Sequence, residues 1–96
     1  MPAYLIAQVK IHDPEIYKQY MARTPALIAQ YGGRFVVRGG ACETLEGGAS
    51  NRRIVIVEFP SMDRAREFYN SPEYRQAKAI RTPVSDAEFV LVEGAA

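Results

Sequence analysis

One histidine, one cysteine and six tyrosines, with no tryptophan, are the side chains from which this chain's chemistry would have to be built. His12 stands where a predicted strand ends and a helix cap begins. An imidazole has an unperturbed pKa of about 6.5, which suits a general base. The same residue in a turn can equally be only a solvated turn residue. Arg38 closes the apolar run Phe35-Val36-Val37. Its planar fork matches a carboxylate, although Glu43 or Glu58 could take it as an ion-pair partner. Gly39, immediately after it, offers bare backbone amide to the same anion.

Tyr17, Tyr20, Tyr69 and Tyr74 fall on or near the inward faces of predicted helices. Their rings could wall an apolar cleft while their hydroxyls hold a polar group of a ligand. Plain core packing uses the same spacing. Ser71 precedes a proline and suits a helix cap; a nucleophile would need an adjacent base. No motif surrounds Cys42. One His and one Cys cannot make a typical structural zinc site, and nothing groups the acids suitably. Haem would need His12 or a tyrosine. No metal and no cofactor are therefore expected.

The two glycine pairs in VVRGGACETLEGGASN, Gly39-Gly40 and Gly47-Gly48, do not form a nucleotide loop. No GxGxxG follows, no helix begins there, and the Lys-Ser/Thr ending of a phosphate loop is missing. A strand end or a β-bulge remains. If it is a bulge, the strand resumes through Cys42 to Glu46, turns at Gly47-Gly48, and returns along residues 52–59 as a bent hairpin. Curvature of that kind helps a sheet wrap into a barrel.

These residues need elements to position them. The chain has 96 residues, of which 48% are hydrophobic and 24% charged, so residues 1–96 read as a single globular domain. A formal net charge of +1 is too small for the phosphate contacts of nucleic-acid binding. Basic residues alternate with acids, so no polybasic membrane patch exists. The opening MPAYLIAQVK is broken by Gln8 and Lys10 and reads as neither signal peptide nor membrane span. A single cysteine excludes an internal disulfide and fits a reducing compartment, so a cytoplasmic location is expected.

Apolar periodicity alternates between 2 and 3.6 residues. Residues 3–11 put Leu5, Ala7, Val9 and Ile11 on one face and read as a strand. Asp13-Pro14-Glu15 starts a helix: a cap, a proline at the first position, and an acid at the positive end of the dipole. Pro25 should kink that helix near Met21 to Thr24, and Gly32-Gly33 ends it. Residues 34–38 and 52–59 are strands. Ser61 caps a second helical run, Ser71-Pro72-Glu73 restarts it, and Thr82-Pro83 stops it. Residues 88–93 are the last strand, and Gly94-Ala95-Ala96 should fray. The order is βαββαβ: an α+β, ferredoxin-like fold with a four-stranded antiparallel sheet, helices on one face, and the first and third strands central.

The third strand is apolar on both sides, with Ile54 and Ile56 opposing Val55, Val57 and Phe59. Two helices can cover only one face of the sheet, and strands apolar on both sides are normally buried on both. A patch of this kind is atypical of a monomer. Burying about 600–800 Å² per chain there would make an interface of standard size. At ~25 cal/mol per Å² the gross term is roughly 15 kcal/mol or more per chain, before association costs. The expected partner is a second copy, sheet face against sheet face, in a two-fold homodimer.

AYLIAQVKIHDPEIYKQY near the start, YGGRFVVRGG in the middle, and EFPSMDRAREFYNSPEYRQAKAIR later resemble the uncharacterised domain-of-unknown-function 1330 family. That family lies within the dimeric α+β barrel superfamily. The resemblance covers most of the chain and implies two ferredoxin-like subunits whose sheets form a barrel. Superfamily relatives include cofactor-free monooxygenases, haem-degrading enzymes, muconolactone isomerase and stress-responsive barrel proteins. A common fold does not transfer their chemistry.

The expectation is a homodimeric barrel that binds a small organic acid or aromatic-like metabolite between helices and sheet. Any catalysis would be cofactor-free proton transfer, isomerisation or oxygenation. His12 would be the base, Arg38 and Gly39 the anion anchor, and Tyr20, Tyr69 and Tyr74 the wall. A non-catalytic structural or ligand-carrier module is the alternative. Convergence of these polar groups on one cavity favours the first reading, and scatter favours the second.

Overall fold

The computed structural model describes residues 1–48 and 52–95. Its elements are β1 (Ala3–Ile11), α1 (Pro14–Gln30), β2 (Arg34–Arg38), β3 (Arg53–Phe59), α2 (Met62–Tyr69), α3 (Pro72–Arg81), a single 3-10 turn (Thr82–Val84) and β4 (Ser85–Glu93). The strands form one antiparallel sheet in the order β2-β3-β1-β4, with β1 and β3 central as the pattern requires.

Local chemistry accounts for the helix starts. The Asp13 carboxylate accepts hydrogen bonds from the Glu15 and Ile16 amides, and Pro14 follows where no intrahelical N–H is needed. Ser61 and Ser71 cap α2 and α3 by accepting from the amides of Arg64 and Tyr74. α1 runs through Pro25 without a break, spanning residues 14–30. Thr82-Pro83 does not end the helical run outright but tightens it into the 3-10 turn.

Two sequence expectations are corrected, and one alternative is decided. The last strand starts at Ser85, not at residue 88, because Asp86, Ala87 and Glu88 pair with Lys10, Val9 and Gln8 of β1. Gly39-Gly40 is a strand end, and the register shift lies earlier, between Phe35 and Val37. The strand does not resume through Cys42 to Glu46, which are exposed and irregular. The return expected after Gly47-Gly48 involves residues 49–51, which lie outside the described residues, as does Ala96 at the predicted frayed end.

The pleat separates two faces. The inner face carries Leu5, Ala7 and Val9 against Val57 and Phe59, and packs with Phe68, Tyr74 and Ala77 of the helices; Ala3, fully buried, pairs with Phe59. The outer face has one apolar row across all four strands: Val37, Ile56, Ile6 and Val90. Arg34, Glu58, Tyr4 and Val92 border that row on one side; Ile54, Gln8 and Glu88 border it on the other. Val90 is 57% exposed and Val92 45%, so the apolar row is open in the isolated chain. No described helix is long and apolar enough to cross a membrane.

Candidate functional site

The inner face is not uniformly filled. One cross-strand row reads Arg38, Val55, Ala7, Phe89. Alanine at its centre is too small to reach the helices above it, and a cavity opens between the sheet, α1 and α3. Its enclosed free volume is only about 40 Å³, within an opening of about 530 Å³ that includes solvent, and it is bordered by Ala7, Val55, Tyr20, Thr24, Tyr74 and Phe89. Arg38 and Arg53 also line it. An apolar cleft with a few convergent polar groups is the usual form of a small-molecule site.

Arg53 reaches the cavity through strand alternation, and Arg38 through the register shift between Phe35 and Val37, which turns it to the face opposite that of Arg34. Arg53 shares the inner face with Val55, Val57 and Phe59, and Arg38 pairs opposite Val55. The Arg38 guanidinium carbon lies 4.3 Å from the centre of the Phe35 ring, a cation–π stack. Its candidate partner Glu58 is taken on the other face, by Arg34 Nε at 2.8 Å and Tyr4 Oη at 3.0 Å. Those two donors, Arg34 first, hold the Glu58 carboxyl below its usual range. Among the described residues no carboxylate pairs with Arg38 or Arg53. Arg53 Nε is shut off from solvent and has no hydrogen-bond partner among the described residues. Buried donors are nearly always satisfied, so an orphan of this kind calls for an acceptor.

Gly39 makes the arrangement possible. Its φ is +67°, and its amide donates to the Ile54 carbonyl at 2.8 Å. A Cβ at this position would run into the Arg53 guanidinium. Gly39 thus contributes close approach of backbone to Arg53, and its amide is already engaged.

Two phenols that line the cavity, from two helices, meet each other, with the Arg81 side chain behind them. Tyr20 Oη lies 2.8 Å from Tyr74 Oη, and Arg81 Nε donates to Tyr74 Oη at 3.3 Å. The Arg81 guanidinium carbon also stacks 4.2 Å from the centre of the Phe89 ring. Arg81 is 6% exposed, and no carboxylate among the described residues balances its charge. Burial opposes that charge, but the Tyr74 and Tyr20 phenols outweigh burial and hold Arg81 above its usual range. Burial pushes the Tyr20 phenol well up from its ordinary value, and the neighbouring Tyr74 phenol adds to this.

The remaining candidates lie elsewhere. His12 is exposed, and its Nε2 stands 2.9 Å from Asp86 Oδ2 across the β1–β4 pair; it does not line the cavity. Tyr69 stacks on the Tyr74 ring at 5.2 Å from the far side and faces a shallower cleft with Arg81 and Lys78. Cys42 is free and exposed. Ser71 is a cap, as expected: its hydroxyl donates to the Phe68 carbonyl and accepts from the Tyr74 amide. Arg53 and Arg81 were not among the sequence candidates, yet both had a signal. Counting back by twos from Phe59 reaches Arg53, and Tyr74, Ala77 and Arg81 follow helical spacing.

A four-stranded antiparallel sheet with its helices on one face, in this strand order, defines the ferredoxin-like α+β class. Within that class the chain belongs to the DUF1330 family, described as a domain of unknown function, whose model matches residues 2–95. No curated protein matches the chain. Among solved structures, a protein of unknown function from Rhodopseudomonas palustris is similar at 21% identity and a TM-score of 0.78, over 99% of this chain and 83% of that one. A dimeric ferredoxin-like protein of unknown function from Jannaschia aligns at 13% identity and a TM-score of 0.75, over 98% of this chain and 100% of that one. SnoaB, a cofactor-independent oxygenase from Streptomyces nogalater, aligns at 16% identity and a TM-score of 0.64, over 99% and 94% of the two chains. At these identities the likeness is one of fold.

Proposed function

We propose that this protein is a cytoplasmic homodimer that binds a small organic acid with an aromatic or apolar body in the cavity between helices and sheet. One observation carries the reading: Arg38 and Arg53 line an apolar cavity without a carboxylate partner among the described residues, and Arg53 Nε is buried without an acceptor among them. A ligand carboxylate supplies what that nitrogen lacks, and a guanidinium suits it by geometry. The ligand's body lies against Ala7, Val55 and Phe89. Tyr20 and Tyr74 form the wall, and Gly39 lets Arg53 approach the backbone. His12 lies outside this arrangement and has no part in the binding reaction.

The second copy packs on the outer face through the row Val37, Ile56, Ile6 and Val90. The dimeric state described for the Jannaschia relative supports this pairing. A cofactor-free reaction at the cavity, of the kind suggested by the likeness to SnoaB, is compatible with the tyrosines as proton carriers. The single exposed thiol of Cys42 fits a reducing compartment.

Thermal unfolding of the full chain with a panel of aromatic carboxylates at millimolar concentration tests the binding reading. Benzoate and its ring-substituted relatives should raise the unfolding midpoint of the natural protein. They should fail to do so for Arg53→Gln. Absence of any shift across the panel, or an equal shift in Arg53→Gln, would overturn it.

A further inference from the structure

The cavity's second polar feature is a hydrogen-bond chain. A guanidinium only donates, so Tyr74 Oη must be the acceptor of the bond from Arg81 Nε. Tyr74 is fully buried, at 0% exposure, and its own phenolic hydrogen needs an acceptor. The one such oxygen within reach among the described residues is Tyr20 Oη, at 2.8 Å. Either oxygen could donate in that bond; donation from Tyr74 to Tyr20 satisfies the fully buried phenol and frees the hydrogen of Tyr20, which is 8% exposed. That leaves the Tyr20 hydrogen without an acceptor among the described residues, on a side chain that lines the cavity.

We infer that Arg81, Tyr74 and Tyr20 form a one-way donor relay whose last hydrogen points into the cavity, so that the ligand carries a hydrogen-bond-accepting oxygen, a carbonyl or an enolate, in addition to its carboxylate. This rests on the reading of the cavity as a ligand site. The relay does more than fill the gap. Arg81 is a buried cation with no carboxylate among the described residues to neutralise it. Its charge polarises Tyr74, the phenol to which Tyr20 is bonded. A donor aimed at a carbonyl oxygen stabilises negative charge that develops there, as in enolisation. The substrate class that follows is a keto acid or an oxo-substituted aromatic acid. A simple carboxylic acid would leave Tyr20 unsatisfied.

Acetophenone, which carries the carbonyl without the carboxylate, isolates this end of the site. The natural protein should bind it about tenfold more tightly than toluene, the value of one good hydrogen bond. The infrared stretch of its bound, isotope-labelled carbonyl should move to lower wavenumber. Tyr20→Phe should abolish both effects. Tyr74→Phe should reduce the carbonyl shift without abolishing it, because the donor remains but its bonded neighbour is gone. The relay is overturned by an unshifted carbonyl in the natural protein, by no binding of acetophenone, by a shift that survives Tyr20→Phe, or by a Tyr74→Phe shift equal to the natural one. Acetophenone needs neither Arg38 nor Arg53. A Tyr20-dependent carbonyl shift without any benzoate response therefore removes the anion reading alone, and the reverse result removes the relay alone.

Discussion

The phenolic oxygens of Tyr20 and Tyr74 lie 2.8 Å apart although 54 positions separate the residues in the chain. One comes from α1 and the other from α3, so this bond ties the two helices together beneath Arg81. Tyr74→Phe removes the acceptor of Arg81 Nε and leaves a buried cationic donor unmatched. The expected loss of stability is about 1–3 kcal/mol, the cost of an unsatisfied buried donor. Urea unfolding should show a lower midpoint with an unchanged slope.

Burial raises the Tyr20 phenol first, with the Tyr74 phenol adding to it, and burial also raises Tyr17. Both folded-state values lie above the ordinary 10.0. The stability these groups contribute is thus fully present below about pH 10 and is lost as pH rises through their folded values, because the unfolded chain gives up those protons first. Urea midpoints measured from about pH 9 to pH 11 should fall, and Tyr20→Phe should fall less steeply. A midpoint that climbs over this interval contradicts the burial of the phenols.

Gly39 and Gly40 are neighbours in sequence with opposite tolerance for a side chain. Gly39 has a φ of +67° and Arg53 against it, whereas nothing lies within 4 Å of a Cβ built on Gly40. Gly39→Ala should cost about 1–2 kcal/mol for the left-handed backbone alone and should weaken benzoate binding by displacing Arg53. Gly40→Ala should change neither. Paired denaturation and titration curves of the two variants check this.

Ile56 lies in the middle of the outer apolar row, paired with Ile6 on one side and Val37 on the other. Ile56→Lys places an unpaired charge at the centre of the proposed subunit contact, where desolvation has no compensation. Sedimentation at micromolar concentration should give a dimer for the natural chain and a monomer for the variant. A natural chain that is monomeric at that concentration contradicts the sheet-to-sheet pairing.

Strand alternation and helix caps were legible because each rests on nearest-neighbour chemistry. Ala3–Ile11 follows from a period of 2, and Asp13, Ser61 and Ser71 cap as their types require. What was hidden depends on distant partners. Ser85 to Ala87 look too polar for a strand, and only pairing with β1 makes them one. His12 looked chemical because it is the single imidazole, but its neighbour Asp86 is 74 positions away and exposed with it. The cavity needed the small Ala7 to fall between Val55 and Phe89 on two other strands. Arg53 and Arg81 were readable as inward-facing by spacing, yet inward arginines gain meaning only once their missing partners are visible.

The Nε–H group of Arg53 tests the account most directly, because its hydrogen resonance can be followed by NMR in the folded protein. With benzoate added to the natural protein, that resonance should move downfield, saturate, and exchange more slowly with water, as an unpaired donor acquires a carboxylate. If benzoate leaves it unmoved at millimolar concentration while any other resonance saturates, the cavity is not the anion site.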